Sequence, residues 1–252
     1  MKAATRQAIY AINLSFYRSK GAAEFDATRQ YPWPGWNRLL SLLPFDMSDP
    51  SVLDIGCGNG RFALFLDEKW ARPFRYLGVD VSQPLLKIAR ARSLDPKRFT
   101  FDAIDFLDPR FNSYLERDAF SLIVLFGVMH HVPDFEVRRG LLDTLTRRLS
   151  VDGRLAVTFW RFGADPRFRR KLVSWRAYNR DARETIDLDD LEEGDFLMRW
   201  GERKGDVRYC HFSNQEEIER LLGSLNARCT ERFFSDGRGN CLNQYLLLRA
   251  AP

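Results

Sequence analysis

Apolar positions in this chain change period repeatedly, from the continuous or every-second-residue runs of strands to the three- and four-residue spacing of helices. SVLDIGCGNG (51–60) reads as a buried strand ending in a glycine turn, and RFALFLDEKW (61–70) as the helix after it. YLGVDVS (76–82) is a second strand ending on an acid, followed by a helix that Ser82 is placed to cap and whose first turn Pro84 fits. FTFDAID (99–105), FSLIVLFGVMHH (120–131) and GRLAVTFW (153–160) read as the third to fifth strands, with EVRRGLLDTLTRRLS as a helix between the last two. Strands alternating with helices predict an α/β fold with a doubly wound, mostly parallel sheet covered on both faces.

Other patterns flank this alternation and divide the chain into four parts. Residues 1–50 hold a helical lead-in, an aromatic and proline stretch, TRQYPWPGW (28–36), and a short apolar-periodic helix (36–43). Residues 51–160 are the alternating core, and 161–205 interrupt it as an insertion at the carboxyl edge of the sheet. In 206–252 the strand pattern resumes with VRYCHF, a helix SNQEEIERLLGSL opened by Ser213 and Glu216 as a capping box, and a closing hairpin of ARCTERFF and NQYLLLR.

Composition narrows the class. With 252 residues, 45% hydrophobic and 29% charged, the chain is globular rather than disordered or fibrous. No run approaches the roughly 18 apolar residues of a membrane span, and the amino end lacks the apolar core of a signal peptide, so a soluble, cytoplasmic protein with no membrane partner is expected. Cys57, Cys210, Cys229 and Cys241 form no CxxC pair, which points to neither a disulfide framework nor a structural metal site. The formal charge of +5 comes from 32 Arg and 7 Lys against 34 acids, and it is unevenly placed. Residues 161–183 carry eight bases and two acids, whereas 184–196 carry seven acids and no base. Such blocks either neutralise each other on a solvated face or leave the basic one for an anionic partner.

The candidate chemistry centres on DIGCGNG. Gly56, Gly58 and Gly60 follow a strand directly, Asp54 precedes them, and Asp80 ends the next strand 20 residues after Gly60. Glycines there allow close backbone approach to a ligand, and an acid at the neighbouring strand tip reaches a ribose diol. A dinucleotide site would carry GxGxxG; here the spacing is GxGxG, and the preceding acid repels a pyrophosphate but attracts an ammonium group. An amino-acid end, a ribose and no phosphate describe S-adenosyl-L-methionine.

On these residues the chain resembles the class I S-adenosylmethionine-dependent methyltransferases, whose Rossmann-like fold has a seven-stranded sheet with an antiparallel closing strand; here an inserted helical lid would be added. The resemblance implies a cofactor site of Asp54, Gly56, Cys57 and Gly58 from the glycine loop, Asp80 and Val81 from the second strand tip, Asp105 with Phe106 for adenine, and Phe126 near the methionine end; Asp102 is the alternative to Asp105. AEFDATRQYPWPGW, GVMHHV and VRYCHFSNQEEIERL are similar to the methyltransferases that esterify a carboxymethyl group on the wobble uridine of tRNA. That likeness implies tRNA as acceptor and a small zinc-binding activator protein as partner. A carboxylate is already ionised at neutral pH and needs alignment and a cation rather than a base. Arg29 is the candidate clamp and His131 the candidate hydrogen-bond partner of the acceptor; Trp33, Tyr209 and His211 are candidate substrate contacts, with Arg208 and Cys210 on the opposite face of their strand. The other reading is the same fold acting on a small carboxylic acid or amine under an aromatic lid, with Phe162, Phe168, Trp175, Tyr178, Phe196 and Trp200 as its rings.

Overall fold

The computed structural model describes residues 1–18, 21–43, 50–115, 119–200 and 207–251. Three helices lead in, α1 (Ala3–Arg18), α2 (Gly21–Ala27) and α3 (Pro34–Leu42). The alternating core follows as β1 (Ser51–Ile55), α4 (Arg61–Lys69), β2 (Arg75–Asp80), α5 (Gln83–Arg90), β3 (Phe99–Ala103), α6 (Phe111–Tyr114), β4 (Phe120–Leu125), α7 (Phe135–Thr146) and β5 (Leu149–Trp160). The insertion contributes α8 (Pro166–Arg169), β6 (Leu172–Val173), α9 (Trp175–Asp181) and β7 (Asp195–Arg199); the chain then closes with β8 (Val207–His211), α10 (Gln215–Gly223), β9 (Ala227–Ser235) and β10 (Asn243–Ala250).

Seven strands form one sheet in the order β3-β2-β1-β4-β5-β10-β9, parallel except for β10, which runs antiparallel to both neighbours. Two-residue alternation decides which face each side chain joins. Leu53, Ile55, Ile123, Leu125, Leu155 and Val157 pack with Leu141, Leu142, Ile218 and Leu221 from α7 and α10. Val52, Leu122, Val124 and Ala156 pack on the other face with Trp36, Phe62, Phe65 and Leu86. Strand order reverses between β1 and β4, and in open α/β sheets the crevice beyond that reversal is where ligands sit.

Several expectations shift in detail. The fourth strand stops at Leu125, because Gly127 takes φ +72° and the chain turns into a short 3₁₀ segment, Met129–His131; the histidine pair is on a turn, not a strand. Ser82 does cap α5, accepting from Leu85 N–H at 3.4 Å. At α10 the cap is Asn214, whose Oδ1 accepts from Glu217 N–H at 2.8 Å, while Ser213 donates to the Glu217 carboxylate instead. The strand read as VRYCHF, expected with the closing part of the core, is β8; it pairs with β7 of the insertion, Asp195 opposite His211, and with β6 completes a separate three-stranded antiparallel sheet. Residues 201–205 of the expected insertion lie outside the described residues. No helix among the described residues is long and apolar enough to cross a membrane.

One buried acid joins the lead-in to the closing hairpin. Asp236, in the β9–β10 turn, accepts from Gly35 N–H at 2.9 Å, Asn243 Nδ2 at 2.8 Å and the Tyr245 hydroxyl at 2.6 Å. A side chain at Gly35 would sit 2.5 Å from the Tyr245 ring, so the WPGW segment approaches the hairpin closely enough to require glycine there. Each satisfied buried bond contributes about 1 kcal/mol, and an orphaned partner costs more. Asp236→Ala should therefore lower unfolding free energy by about 3 kcal/mol and Tyr245→Phe by about 1 kcal/mol. Urea titrations of the two variants check this, and equal losses would show that Asp236 is not the hub.

Candidate active site

The glycine turn is held by the acid of the neighbouring strand. Gly56 and Cys57 N–H both donate to Val79 C=O, at 2.8 and 3.1 Å. Asp80, at the end of β2, accepts from Gly58 N–H at 2.9 Å through one oxygen and from Ser82 N–H at 2.8 Å through the other. Burial raises its pKa, and these backbone donors oppose the rise. Gly56 needs its glycine: φ is +70°, and a Cβ would lie 2.5 Å from Val128 Cγ2, across the gap to the loop after β4. The two loops, with Asp80, Val81 and Phe106, form one side of a cleft of about 1040 Å³.

Helix α1 supplies the opposing wall. Tyr10, Asn13 and Tyr17, at helical spacing, line the cleft, and Ile9 and Phe16 are buried. Asn13 reaches both sides of a junction: its Oδ1 accepts from Tyr209 N–H at 2.9 Å, and its Nδ2 lies 3.2 Å from His131 Nδ1. His131 Nδ1 is also 3.1 Å from Tyr209 C=O, so this nitrogen faces a donor, Asn13 Nδ2, and an acceptor at once. Nε2 lies 2.7 Å from the Tyr17 hydroxyl. Arg208 Nη1 donates in turn to the Tyr17 oxygen at 3.2 Å. The result is a hydrogen-bonded chain linking Arg208 through Tyr17 and His131 to the β8 backbone. Burial first, and the Arg208 charge second, lower the His131 pKa to about 3, so the imidazole is neutral at physiological pH.

Three arginines face this cleft without a carboxylate within ion-pair distance among the described residues. Arg29 stacks near Phe25 (5.4 Å) and Trp200 (5.9 Å), and its Nη1 bonds only to Thr28. Arg61 lies over Trp33 and Trp36 and donates to Tyr31 C=O at 2.6 Å. Burial and the neighbouring Arg29 charge lower its pKa to about 10, which leaves it charged at neutral pH. Arg208 is buried against Trp160 and Trp200. Arg167, Lys171, Arg199 and Arg238 continue the basic lining outward. Asp187 and Asp190 of the acidic block bond to Lys2, Glu192 to Arg138, and Asp195 to Tyr209 and His211. Among the described residues no ion pair joins the acidic block to the basic stretch 161–183, in which Arg167 pairs with Asp165.

Gly56, Gly58, Asp80, Val81, Phe106, Phe126, Arg29, Trp33 and His131 all line the one cleft, as do Thr28, Pro32, Pro34 and Trp160. Others are elsewhere. Asp54 is beneath the loop, bonded to the Tyr76 hydroxyl, and direct contact with an ammonium group is not built in. Cys57 is buried, filling the space a side chain at Gly78 would take. Asp105 accepts from Tyr10 at 2.6 Å and Leu107 N–H at 2.9 Å just behind the cleft wall, and Asp102 accepts from Tyr114. Trp36 is a core residue, 2% exposed.

Two expectations are reversed. Tyr209 and His211 face away from the cleft: the Tyr209 hydroxyl donates to Asp195 at 2.6 Å, and His211 bridges Asp195 and Glu217 at 2.7 Å each. It is Arg208, on the alternate face, that lines the cleft. His131 cannot offer the acceptor a free nitrogen, since both are occupied by protein groups. Sequence reasoning missed Tyr10, Asn13 and Tyr17, although their i, i+3, i+7 spacing marks one helical face, and Arg61, which follows the glycine loop directly.

Comparison with known proteins agrees with this arrangement. Residues 53–155 match the methyltransferase domain family. The chain is 32% identical over 108 residues to carboxy-S-adenosyl-L-methionine synthase of Helicobacter pylori strain G27, covering 43% of this chain and 42% of that protein. It is 30% identical over 139 residues to the tRNA (carboxymethyluridine(34)-5-O)-methyltransferase of Xenopus tropicalis, covering 55% of this chain and 19% of that protein. The chain thus spans less than half the length of these curated relatives. A crystal structure of an S-adenosylmethionine-dependent methyltransferase from Clostridium acetobutylicum superposes with a TM-score of 0.60 at 16% identity, covering 92% of this chain and 98% of that one. The sheet has the α/β fold of these methyltransferases, and residues 53–155 match the methyltransferase domain, for which S-adenosyl-L-methionine is the cofactor expected from the glycine loop. The cleft fits that group: glycine backbone on one side, a backbone-braced acid at the β2 tip, and an aromatic ring, Phe106, beside it.

Asp54 makes the loop's foundation sensitive to pH. Burial raises its pKa from the usual carboxylate range to about 7, the Tyr76 hydrogen bond opposing the rise. Its contribution to stability is fully present below the unfolded-state pKa of about 4, declines as pH rises toward 7 by at most about 1.4 kcal/mol per unit, and is flat above. The stability difference between Asp54→Asn and wild type should accordingly grow in favour of the variant from pH 4.5 to pH 7 and then level off in urea titrations. A difference independent of pH would show that Asp54 is ionised throughout.

Proposed function

We propose that this chain transfers the methyl group of S-adenosyl-L-methionine to a carboxylate, and that the carboxymethyl group of a tRNA wobble uridine is the acceptor the site suits best. One observation carries the reading: Arg29, Arg61 and Arg208 all line the cleft, and among the described residues none of them has a carboxylate within ion-pair distance. Buried cations without partners are costly, and an anionic acceptor supplies what is missing. The TRQYPWPGW segment forms part of that wall, and the likeness to the Xenopus tRNA methyltransferase supports the same acceptor.

When bound, the cofactor supplies an activated methyl on a sulfonium centre. Gly56 and Gly58 let the backbone approach it, Asp80 has lone pairs left for two ribose hydroxyls, and Phe106 flanks the base. The acceptor carboxylate is ionised at neutral pH, so no proton has to move. An acceptor oxygen forms the new C–O bond as the methyl's bond to sulfur breaks, the electron pair remaining on sulfur. What the chain contributes is alignment and a dry, cationic surround. Arg29 grips the acceptor from the rim, and Trp33 with Phe126 closes the wall beneath it. His131, neutral and fully bonded, holds Tyr17 in place instead of acting as a base.

Lys171, Arg199 and Arg238 at the cleft mouth would meet phosphates, and the base-rich stretch 161–183, in which Arg167 is paired with Asp165, extends that surface. The second reading, a small carboxylate acceptor, is favoured by one feature: Phe168, Trp200 and Tyr31 make the same mouth aromatic. Transfer of labelled methyl to bulk tRNA against a small-metabolite extract, with and without the small zinc-binding activator, separates the two. Label is expected in tRNA, reduced about 100-fold in Arg29→Ala with cofactor binding retained; equal labelling by wild type and variant removes the clamp. Binding of tRNA should weaken about tenfold or more between 50 and 200 mM salt, because neutralised phosphates release counterions. A flat salt response in filter binding contradicts the tRNA assignment.

A further inference from the structure

The three arginines are not equivalent. Arg29 bonds to Thr28 and sits on the rim; Arg61 is stacked on two tryptophans and bonded to Tyr31. Arg208 is 5% exposed, its guanidinium carbon is 4.6 Å from the Trp200 ring centre and 5.2 Å from that of Trp160, and its Nη1 is held by Tyr17. Its Nε, buried, has no hydrogen-bond partner. No carboxylate pairs with it among the described residues, although Arg29 also lies near the same Trp200 ring. Two guanidinium groups on one indole with no counter-ion repel each other. An anion bound near both offsets that repulsion.

A buried Nε–H left unbonded costs free energy in a folded protein, typically 1–3 kcal/mol, unless a ligand satisfies it. The Nε side of a guanidinium is one of the edges that meets a carboxylate through two parallel hydrogen bonds. Tyr17, the two indoles and, through Tyr17, His131 fix the plane of the group, so it is oriented before anything binds. We propose that Arg208 is the residue that selects the acceptor, receiving its carboxylate on the Nε edge and rejecting neutral analogues of the same shape. This rests on the carboxylate reading above and adds to it the group that recognises the charge. An uncharged isostere leaves both the Nε–H and the pair of like charges uncompensated.

The test compares 5-carboxymethyluridine with 5-carbamoylmethyluridine, acid against amide, as nucleosides titrated calorimetrically into the full chain saturated with S-adenosylhomocysteine. Wild type should bind the acid at least tenfold more tightly. Arg208→Met should bring that ratio close to one, and Arg208→Lys, which keeps the charge but not the fork, should lower it at least threefold. Unchanged binding of S-adenosylhomocysteine shows that each variant is folded; should Arg208→Met fail that control, Arg208→Lys decides. A wild-type ratio near one, including no measurable binding of either nucleoside, or a ratio unchanged in Arg208→Lys, overturns the proposal. Turnover separates the two layers of argument. If wild type discriminates acid from amide but methylates no carboxymethyluridine tRNA, the acceptor reading fails and Arg208 keeps its role. If it methylates that tRNA and Arg208→Lys keeps the full ratio, only the role of Arg208 fails.

Discussion

Two backbone N–H groups donating to the single carboxylate of Asp80 are the constraint from which the site is built. Gly58 belongs to the turn after β1 and Ser82 to the start of α5, so one side chain fixes a loop, a strand tip and a helix entry relative to one another. A buried carboxylate is tolerated only when such donors replace its lost hydration. The same arrangement orients the remaining lone pairs toward the cleft. Stability and ligand geometry therefore come from one set of bonds, and a change at Asp80 disturbs both.

The acceptor half of the cleft follows a different logic. It is assembled from pieces far apart in sequence: α1, the WPGW segment, the end of β5, the β7 end and β8. Polar junctions hold them, Asp236 tying the lead-in to the hairpin and Asn13 tying α1 to β8 and the His131 turn. Behind β8, Arg138 bonds to Glu192 and Glu217, and His211 to Asp195 and Glu217, so the small sheet is anchored to α7 and α10 through charges rather than through the main apolar core. Two of these three acids, Glu192 and Asp195, come from the insertion, and they are engaged here rather than with its base-rich stretch.

The cofactor half was legible in the sequence because its signals are local. A strand, a glycine turn, a helix and an acid at the next strand tip lie within about 30 residues, and each is specified by near neighbours. The acceptor half was legible only in part. Alternation along RYCH correctly separates Arg208 from Tyr209 and His211, yet it cannot say which side faces the cleft; that depends on β7 and the two-residue β6, too short to carry a period. For His131 the residue and its place in the cleft were readable, but its bonding was not, since Asn13 and Tyr17 are more than 110 positions away. Charge blocks likewise reveal net sign but not partners.

The bond between Asn13 and Tyr209 spans 196 positions of chain. A ribosome releases α1 among the earliest elements, whereas β8 emerges only after the whole parallel core has been made. Through that interval the apolar face of α1, with Ile9 and Phe16, lacks its eventual cover. On the growing chain, then, neither the acceptor wall nor the main sheet can close before its last strands are made, and until β8 arrives the apolar face of α1 stays open to shielding by a chaperone.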